Sequence, residues 1–153
     1  MSAEISVDGA LPRAAGTSRA ELRRAAAFFA ARSERRVRAR GPWRAVAVHL
    51  VDDRESARLN MAIMGHEGPT DVITQRYDPI PGEPAGLTGE LFVNADCAVR
   101  EGARRAGWTP ARELLLYTAH GMDHLSGACD TDEAGYRAMR RRELSWLAAL
   151  ARA

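Results

Sequence analysis

Cysteine is scarce in this sequence: its 153 residues include only Cys97 and Cys129. The disulfide framework of a small secreted domain needs more cysteines than this, so we expect both residues to be thiols. A chain of this length buries roughly 70% of its unfolded surface when it folds, which is enough for a hydrophobic core. We therefore predict one domain over residues 1–153, in which a bound metal serves chemistry rather than folding.

Long apolar runs are also missing. The sequence has no stretch of about 18 consecutive apolar residues, and such a stretch is what a transmembrane helix requires. Residues 1–16 lack the basic start and the continuous apolar segment of a secretory signal. We expect a cytoplasmic protein that does not bind membranes.

Lysine is absent altogether, because all 22 basic residues are arginine, against 20 acidic residues. The amino-acid usage of a GC-rich genome explains this bias, and selection for the bidentate grip of arginine on phosphate is the alternative. Residues 1–40 carry nine arginines and four acids, residues 41–99 four and nine, and residues 100–153 nine and seven. Basic segments around an acidic middle suit a polyanionic substrate steered towards a metal site, although solvated helix faces give a similar distribution.

Hydrophobic periodicity, capping residues and chain breakers indicate where strands and helices lie. Residues 1–17 are predicted to form a short strand at 5–8 and then a loop. Further strands are predicted at 45–51, 71–77 and 90–94, and helices at 18–38, 54–64, 96–106, 109–125 and 132–150, the first of them stopped by Gly41 and Pro42. This order predicts an α+β fold, a single domain with one small mixed sheet of three or four strands and about five helices.

The segment 120–130 contains the residues of a metal site. His120 and His124 are four residues apart on a predicted helix, so both side chains project from one face and can share a small cation. Gly127 is placed to end this helix with a positive φ, which turns the chain so that Asp130 returns towards the histidines. Two imidazoles and one carboxylate leave a fourth position for water, as in catalytic zinc sites. We expect one divalent metal ion per chain, with zinc first and iron or manganese as alternatives.

Several assignments around this motif have alternatives. Histidines at this spacing also occur as surface or packing residues, and Cys129 competes with Asp130 as the third ligand because a thiolate is the softer donor. Zinc proteases with this spacing place their general-base glutamate directly after the first histidine, where this chain has Gly121. Asp123 is the remaining candidate catalytic base, with a surface or helix-terminal acid as its alternative. Glu143 interrupts an apolar helix face, either as a salt-bridged boundary residue or as a group that supports the site.

Four motifs occur in order along the chain: PTDV at Pro69–Val72, GELFV at Gly89–Val93, HGxxHLxG from His120, and MRRRE at Met139–Glu143. Together they resemble the YbeY family of bacterial metal-dependent endoribonucleases, over residues from about 45 to 150. The resemblance implies a cytoplasmic α+β protein that holds zinc through three ligands. It also implies action on single-stranded RNA during rRNA maturation and ribosome quality control. The implied partner is ribosomal RNA or the small ribosomal subunit, and DNA is not expected.

The family's functional residues can be placed on this chain one by one. His120 and His124 match the first two of three histidine ligands, and the third falls on Asp130, whose carboxylate is also a legitimate zinc ligand. Met64 stands where the family usually has an arginine that is thought to help bind or cleave RNA. Arg76 is the candidate that replaces this contact with phosphate, and a solvated arginine at a strand end is the alternative.

These observations lead to three functional hypotheses. The first is a metal-dependent endoribonuclease whose cleavage is weak because Met64 replaces the arginine. The second is a non-catalytic ribosome assembly factor with a structural or vestigial metal site, which Met64 favours. The third is a metal-dependent hydrolase of another substrate, such as a peptide, which only the ligand spacing favours.

Overall fold

The computed structural model describes residues 2–37 and 42–153. Its sheet consists of four strands: β1 (Glu4–Asp8), β2 (Trp43–Val51), β3 (Val72–Tyr77) and β4 (Leu87–Asn94). The spatial order is β1-β2-β4-β3, with β1 and β4 parallel to β2, and β3 antiparallel to β4. The predicted small mixed sheet is confirmed, and β4 begins three residues earlier than the sequence pattern indicates.

Five α-helices lie within the described residues: α1 (Arg19–Val37), α2 (Asp53–Leu59), α3 (Ala95–Arg104), α4 (Pro110–Leu125) and α5 (Glu133–Arg152). The predicted α+β class is therefore confirmed. A π-helical turn, Asn60–Met64, continues α2, and a short 3₁₀ turn, Arg13–Ala15, lies in the predicted N-terminal loop. The predicted end of α1 at residue 38 and the stop at Gly41 lie outside the described residues. None of the described helices combines the length and apolar character that membrane crossing demands.

Side chains cap the N-termini of the helices that build the site. The hydroxyl of Thr109 accepts a hydrogen bond from the backbone N–H of Arg112 at 3.1 Å, and Pro110 occupies the first turn of α4. The Asp132 carboxylate accepts from the N–H of Gly135 at 2.6 Å at the start of α5. Such caps satisfy backbone donors that the helix itself leaves unpaired, so the start of each helix is encoded locally.

At position 121, helix α4 lies so close to the sheet that a side chain larger than that of glycine does not fit. A Cβ atom placed on Gly121 would lie 2.3 Å from Cδ2 of Leu91 on β4 and 3.2 Å from Cγ2 of Val72 on β3. Leu91 is fully buried in the core between the sheet and the helices. The residue after His120 therefore faces the sheet, and a glutamate there could not serve as a solvent-facing base.

Candidate metal centre

The two histidines of the motif lie in the last turns of α4. Gly127 follows the helix with a φ of +105°, and its N–H donates to the carbonyl oxygen of His124 at 2.9 Å. A left-handed residue at this point reverses the chain direction, which is difficult for residues other than glycine. The predicted turn at Gly127 is confirmed, and it brings Asp130 back to the histidines.

The three predicted ligands converge. The Oδ2 atom of Asp130 lies 3.3 Å from Nε2 of His124 and 3.5 Å from Nε2 of His120. One ligand atom from each of the three residues lies within 4.8 Å of the others. Ligands bound tetrahedrally at about 2.0–2.1 Å from zinc are about 3.3–3.4 Å apart, so these spacings already match a shared ion. The group can therefore hold a divalent metal, and no second such group of three occurs among the described residues.

Both imidazole rings are oriented by hydrogen bonds at Nδ1. His120 donates from Nδ1 to Oε2 of Glu143 at 2.8 Å, and His124 donates from Nδ1 to the carbonyl oxygen of Ala128 at 3.1 Å. These acceptors have no proton to give, so each Nδ1 carries the hydrogen and each Nε2 is free for a metal. Burial lowers the pKa of His120, but the hydrogen bond to Glu143 and the negative charges of Glu143, Asp71 and Asp130 together outweigh burial and raise the pKa above its ordinary value.

Glu143 is a buried residue beside the candidate ligands and does not lie at the protein surface. Its side chain is 0% exposed, and in the described part of the chain its Oε1 atom has no hydrogen-bond partner. Apart from His120, the basic group within salt-bridge distance is Arg140, whose Nε lies 3.9 Å from Oε1. Of the two interpretations of the interrupted apolar face, the structure supports a group that orients a ligand histidine.

Asp123, the candidate base, is not a member of the convergent group of three ligands. Its side chain is 0% exposed, and its Oδ1 atom accepts a hydrogen bond of 2.8 Å from Nε of Arg142 on α5. Asp123 is therefore not a surface acid, whereas the helix-terminal part of that alternative agrees with its position in the last turn of α4. A buried carboxylate that pairs with an arginine of the neighbouring helix is shielded from water, which favours a role in joining α4 to α5.

A groove of about 250 Å³ opens beside His124. Its lining residues come from the π-helical turn, the following loop and β3: Asn60, Met64, His66, Thr70, Val72, Ile73 and Thr74, together with His124. Met64 is 52% exposed, and the position that the family resemblance singles out therefore lines the groove beside His124. His66 is a groove residue that the sequence reasoning missed, because an isolated histidine in a loop carries no signal of its own.

Arg76 joins β3 to the end of the metal-binding helix. Its Nη1 donates to the carbonyl oxygen of Leu125 at 3.0 Å, directly after His124 in the chain. The side chain is half-buried, so it is not a fully solvated arginine at a strand end. This contact satisfies a carbonyl group that the helix terminus leaves unpaired and fixes the position of α4 relative to the groove.

Cys129 is exposed, and its Sγ lies 3.1 Å from the hydroxyl of Thr131. The neighbouring Asp130 supplies the third ligand atom of the convergent group instead. This placement favours Asp130 over Cys129 as the third ligand.

The fold and the site define a class: a small α+β domain that presents two histidines and a carboxylate for a metal at the end of a central helix. A family model described as endoribonuclease YbeY matches residues 15–151. The chain therefore belongs to the YbeY family, as the sequence resemblance indicates.

Curated relatives carry the same description. The protein named endoribonuclease YbeY from Rhodopirellula baltica is 34% identical over 101 residues, which span 65% of this chain and 50% of that protein. The protein of that name from Methylococcus capsulatus is 34% identical over 109 residues, or 71% of this chain and 72% of the relative. The chain thus spans between about half and three-quarters of the length of these relatives.

One solved structure supports the fold independently. The solution structure of TM1509 from Thermotoga maritima matches 96% of this chain and 87% of that protein, with a TM-score of 0.52 and 23% sequence identity. At 23% identity, this match supports the fold alone.

Proposed function

We propose that this protein is a metal-dependent endoribonuclease that cleaves single-stranded RNA in the cytoplasm during rRNA maturation and ribosome quality control. The proposed partner is ribosomal RNA or the small ribosomal subunit. The observation that supports a catalytic site best is the convergence of His120, His124 and Asp130, with both imidazoles already oriented by acceptors behind them. Membership in a family described as endoribonucleases supplies the substrate class.

Zinc fits the donor set, because it accepts imidazole nitrogen and carboxylate oxygen in one tetrahedral site. When bound by these residues, such an ion supplies a Lewis acid that activates water and polarises a phosphate oxygen. Glu143 and the carbonyl of Ala128 hold the two imidazoles in the ligating tautomer. Asp130 adds a negative charge that histidine would not, which lowers the net positive charge of the loaded site.

The groove beside His124 is proposed to receive the RNA strand. Its lining combines polar groups, such as Asn60 and Thr70, with the exposed side chain of Met64. Arg76 is proposed as an RNA contact, since no hydrogen bond beyond the one to Leu125 engages its guanidinium within the described residues. The role of Asp123 as a base stays a prediction, which Asp123→Asn tests by removing the charge while keeping the shape.

The test compares cleavage of a labelled single-stranded RNA with the metal content of the same preparations, purified without a histidine tag. Wild-type protein should contain one zinc per chain and should cut the RNA, and a chelator should abolish cleavage. The variant His124→Ala should lose metal and cleavage while its far-UV circular dichroism stays close to wild type. His49→Gln is the matched control, because it removes an imidazole outside the three-residue metal group. Stoichiometric zinc in His124→Ala would refute the metal assignment.

The second candidate, a ribosome assembly factor, is favoured by Met64, because the groove offers a thioether where an arginine would contact phosphate. It predicts that metal-loaded protein binds ribosomal RNA or the small subunit without cutting it. Binding that survives in chelator, with no cleavage under any metal condition, would replace the nuclease proposal with this one. The third hypothesis, peptide hydrolysis, is tested by a peptide substrate assay on the metal-loaded protein.

A further inference from the structure

A second groove, separate from the one beside His124, lies between α1 and α5. It encloses about 530 Å³ and is lined by Phe28, Ala31, Arg32, Arg35, Arg36, Arg142 and Trp146. A shallower depression continues from it along α5 and is lined by Ala138, Arg141, Arg142 and Ser145. We call the surface formed by Arg32, Arg35, Arg36, Arg141 and Arg142 the arginine groove.

Among the residues that the structure describes, no carboxylate lines either depression. In the described parts of the chain, no acidic side chain lies within salt-bridge distance of Arg35, Arg36 or Arg141. Four other exposed helix arginines do have a carboxylate partner; for example, Arg58 pairs with Glu55 and Arg100 with Asp53. Like charges that are clustered without partners repel one another, and a bound polyanion relieves that repulsion.

Two of the guanidinium groups are held in place. The guanidinium of Arg32 lies 4.8 Å from the ring centroid of Phe28, and Arg142 is anchored through its Nε on the buried carboxylate of Asp123. A guanidinium anchored in this way through Nε still has the N–H groups of its Nη atoms for a further acceptor. Less side-chain entropy is lost when such pre-ordered donors bind a phosphate.

The helix dipole of α1 does not explain why the five arginines of the groove are clustered. It favours basic residues in the last turn of the helix, where Arg35 and Arg36 lie. Arg141 is in the middle of α5 and Arg32 lies a turn earlier in α1, so neither benefits from it. The MRRRE motif, which the metal site uses only through Glu143, therefore supplies two of the arginines of a separate charged surface.

The groove has few means of reading bases. Trp146 is 6% exposed and the guanidinium of Arg32 lies over the ring of half-buried Phe28, so little aromatic surface is available for stacking on bases. What remains accessible is positive charge, which binds phosphates irrespective of sequence. Arg142 is followed directly by Glu143, which contacts His120, so neighbouring residues of α5 serve the groove and the candidate metal centre.

We propose that the arginine groove binds the phosphate backbone of single-stranded RNA and holds the substrate outside the cleavage site. This inference rests on the proposed function, since it assumes that RNA is the substrate. It assigns to α1 and α5 a binding role that is independent of sequence and of the metal.

The test measures the affinity of a labelled single-stranded RNA of mixed sequence at a series of KCl concentrations, with the RNA confirmed intact afterwards. The variant Arg35→Gln/Arg36→Gln is compared with Arg13→Gln/Arg23→Gln, which also removes two charges, from exposed arginines outside the groove. Each lost phosphate contact lowers the slope of log affinity against log salt by about 0.7 for a single strand. For Arg35→Gln/Arg36→Gln we expect the slope to fall by about 1.4 and the affinity near 0.1 M salt to fall roughly 10- to 25-fold. The control should stay close to wild type.

A single substitution on the other helix, Arg141→Gln, keeps the test informative if the double variant folds poorly, and its slope should fall by about 0.7. Wild-type slopes in both groove variants would overturn the inference. Displacement of the RNA by polyglutamate as effectively as by unlabelled RNA would also overturn it, because the groove would then be a general site for acidic polymers.

Failure of this inference is distinguishable from failure of the proposed function. If the groove variants bind RNA as wild type does while His124→Ala abolishes cleavage, only the groove assignment fails. If the groove variants lose affinity while His124→Ala cuts RNA at the wild-type rate, the metal-dependent mechanism fails and the groove assignment stands.

Discussion

Nδ1 of His120 donates a 2.8 Å hydrogen bond to Oε2 of Glu143, which links the metal-binding helix α4 to α5 in the protein interior. Carboxylates behind ligand histidines fix the imidazole orientation and make the ligating nitrogen more basic. The acid that interrupts the apolar face of α5 therefore supports the candidate metal centre, although it is not one of the three candidate ligands.

The first prediction concerns the hydrogen bond between Glu143 and His120. Glu143→Gln keeps the size of the side chain and removes its charge, so zinc affinity should fall by roughly 10- to 100-fold. Competition with a chelating dye measures the affinity. Glu133→Gln is the matched control, since Glu133 is on the same helix with its side chain 77% exposed, and it should change nothing. Equal affinities in the two variants would show that Glu143 does not orient His120.

The second prediction concerns the third ligand. Asp130→Ala should weaken metal binding, because it removes the only carboxylate of the convergent group. Cys129→Ser should leave binding nearly unchanged, since the exposed thiol lies outside that group. Metal titration of both variants decides the question, and the reverse pattern would transfer the ligand role to Cys129.

The third prediction concerns Met64, the position at which the family resemblance implies an arginine. Met64→Arg places a guanidinium in the groove beside His124 and should raise RNA cleavage. A charge-assisted hydrogen bond is worth about 1.5–3 kcal/mol, or about one to two orders of magnitude in rate if it forms in the transition state. Met61→Arg is the control, because Met61 is 49% exposed in the same π-helical turn but does not line the groove. An equal increase in both variants would indicate a general effect of charge.

The fourth prediction concerns pH. His49 bonds through Nδ1 to Asp8 at 2.9 Å and through Nε2 to Glu90 at 2.8 Å. Partial burial lowers the pKa of His49, but the two carboxylate contacts outweigh burial and raise the pKa above 6.5 in the folded state. The protonated form is therefore stabilised by folding, and this contribution is complete below pH about 6.5 and is lost as the pH rises through the folded-state pKa.

Urea unfolding of wild type and His49→Gln at several pH values tests this prediction. The difference in unfolding free energy between the two proteins should be largest on the acidic side and should shrink towards pH 8. Taking the difference removes the contribution of His120, which titrates in the same direction and is present in both proteins. A difference that does not depend on pH would contradict the assignment.

The fifth prediction concerns the close approach of α4 to the sheet. Gly121→Ala adds a methyl group 2.3 Å from Cδ2 of Leu91, so the helix or the leucine must move. Overpacking of this kind costs about 1–3 kcal/mol of stability, and a shift of α4 should also weaken metal binding. The control is Ala138→Gly at an exposed site on α5, which measures the effect of ordinary helix propensity on stability. Gly107→Ala would not serve as a control, because the positive φ of Gly107 adds backbone strain. Unchanged thermal stability in Gly121→Ala would show that the contact is easily relieved.

Local signals in the sequence determined much of the fold and the centre of the site. The caps at Thr109 and Asp132 define where α4 and α5 begin, because a cap bonds to residues only three positions away. The pair His120 and His124 and the turn at Gly127 are likewise local, since helix geometry and a single positive φ bring the ligands together. Motifs in register along the chain predicted the family, which the family model over residues 15–151 confirmed.

Only the tertiary structure decided what surrounds those ligands. The contact of Glu143 with His120 spans 23 positions, and the contact of Arg76 with Leu125 spans 49. The burial of Asp123 against Arg142 depends on how α5 packs on α4. Hydrophobic periodicity identifies the buried face of each element but not the partner that covers it. That partner is chosen by the packing of the whole core, which no short stretch of sequence encodes.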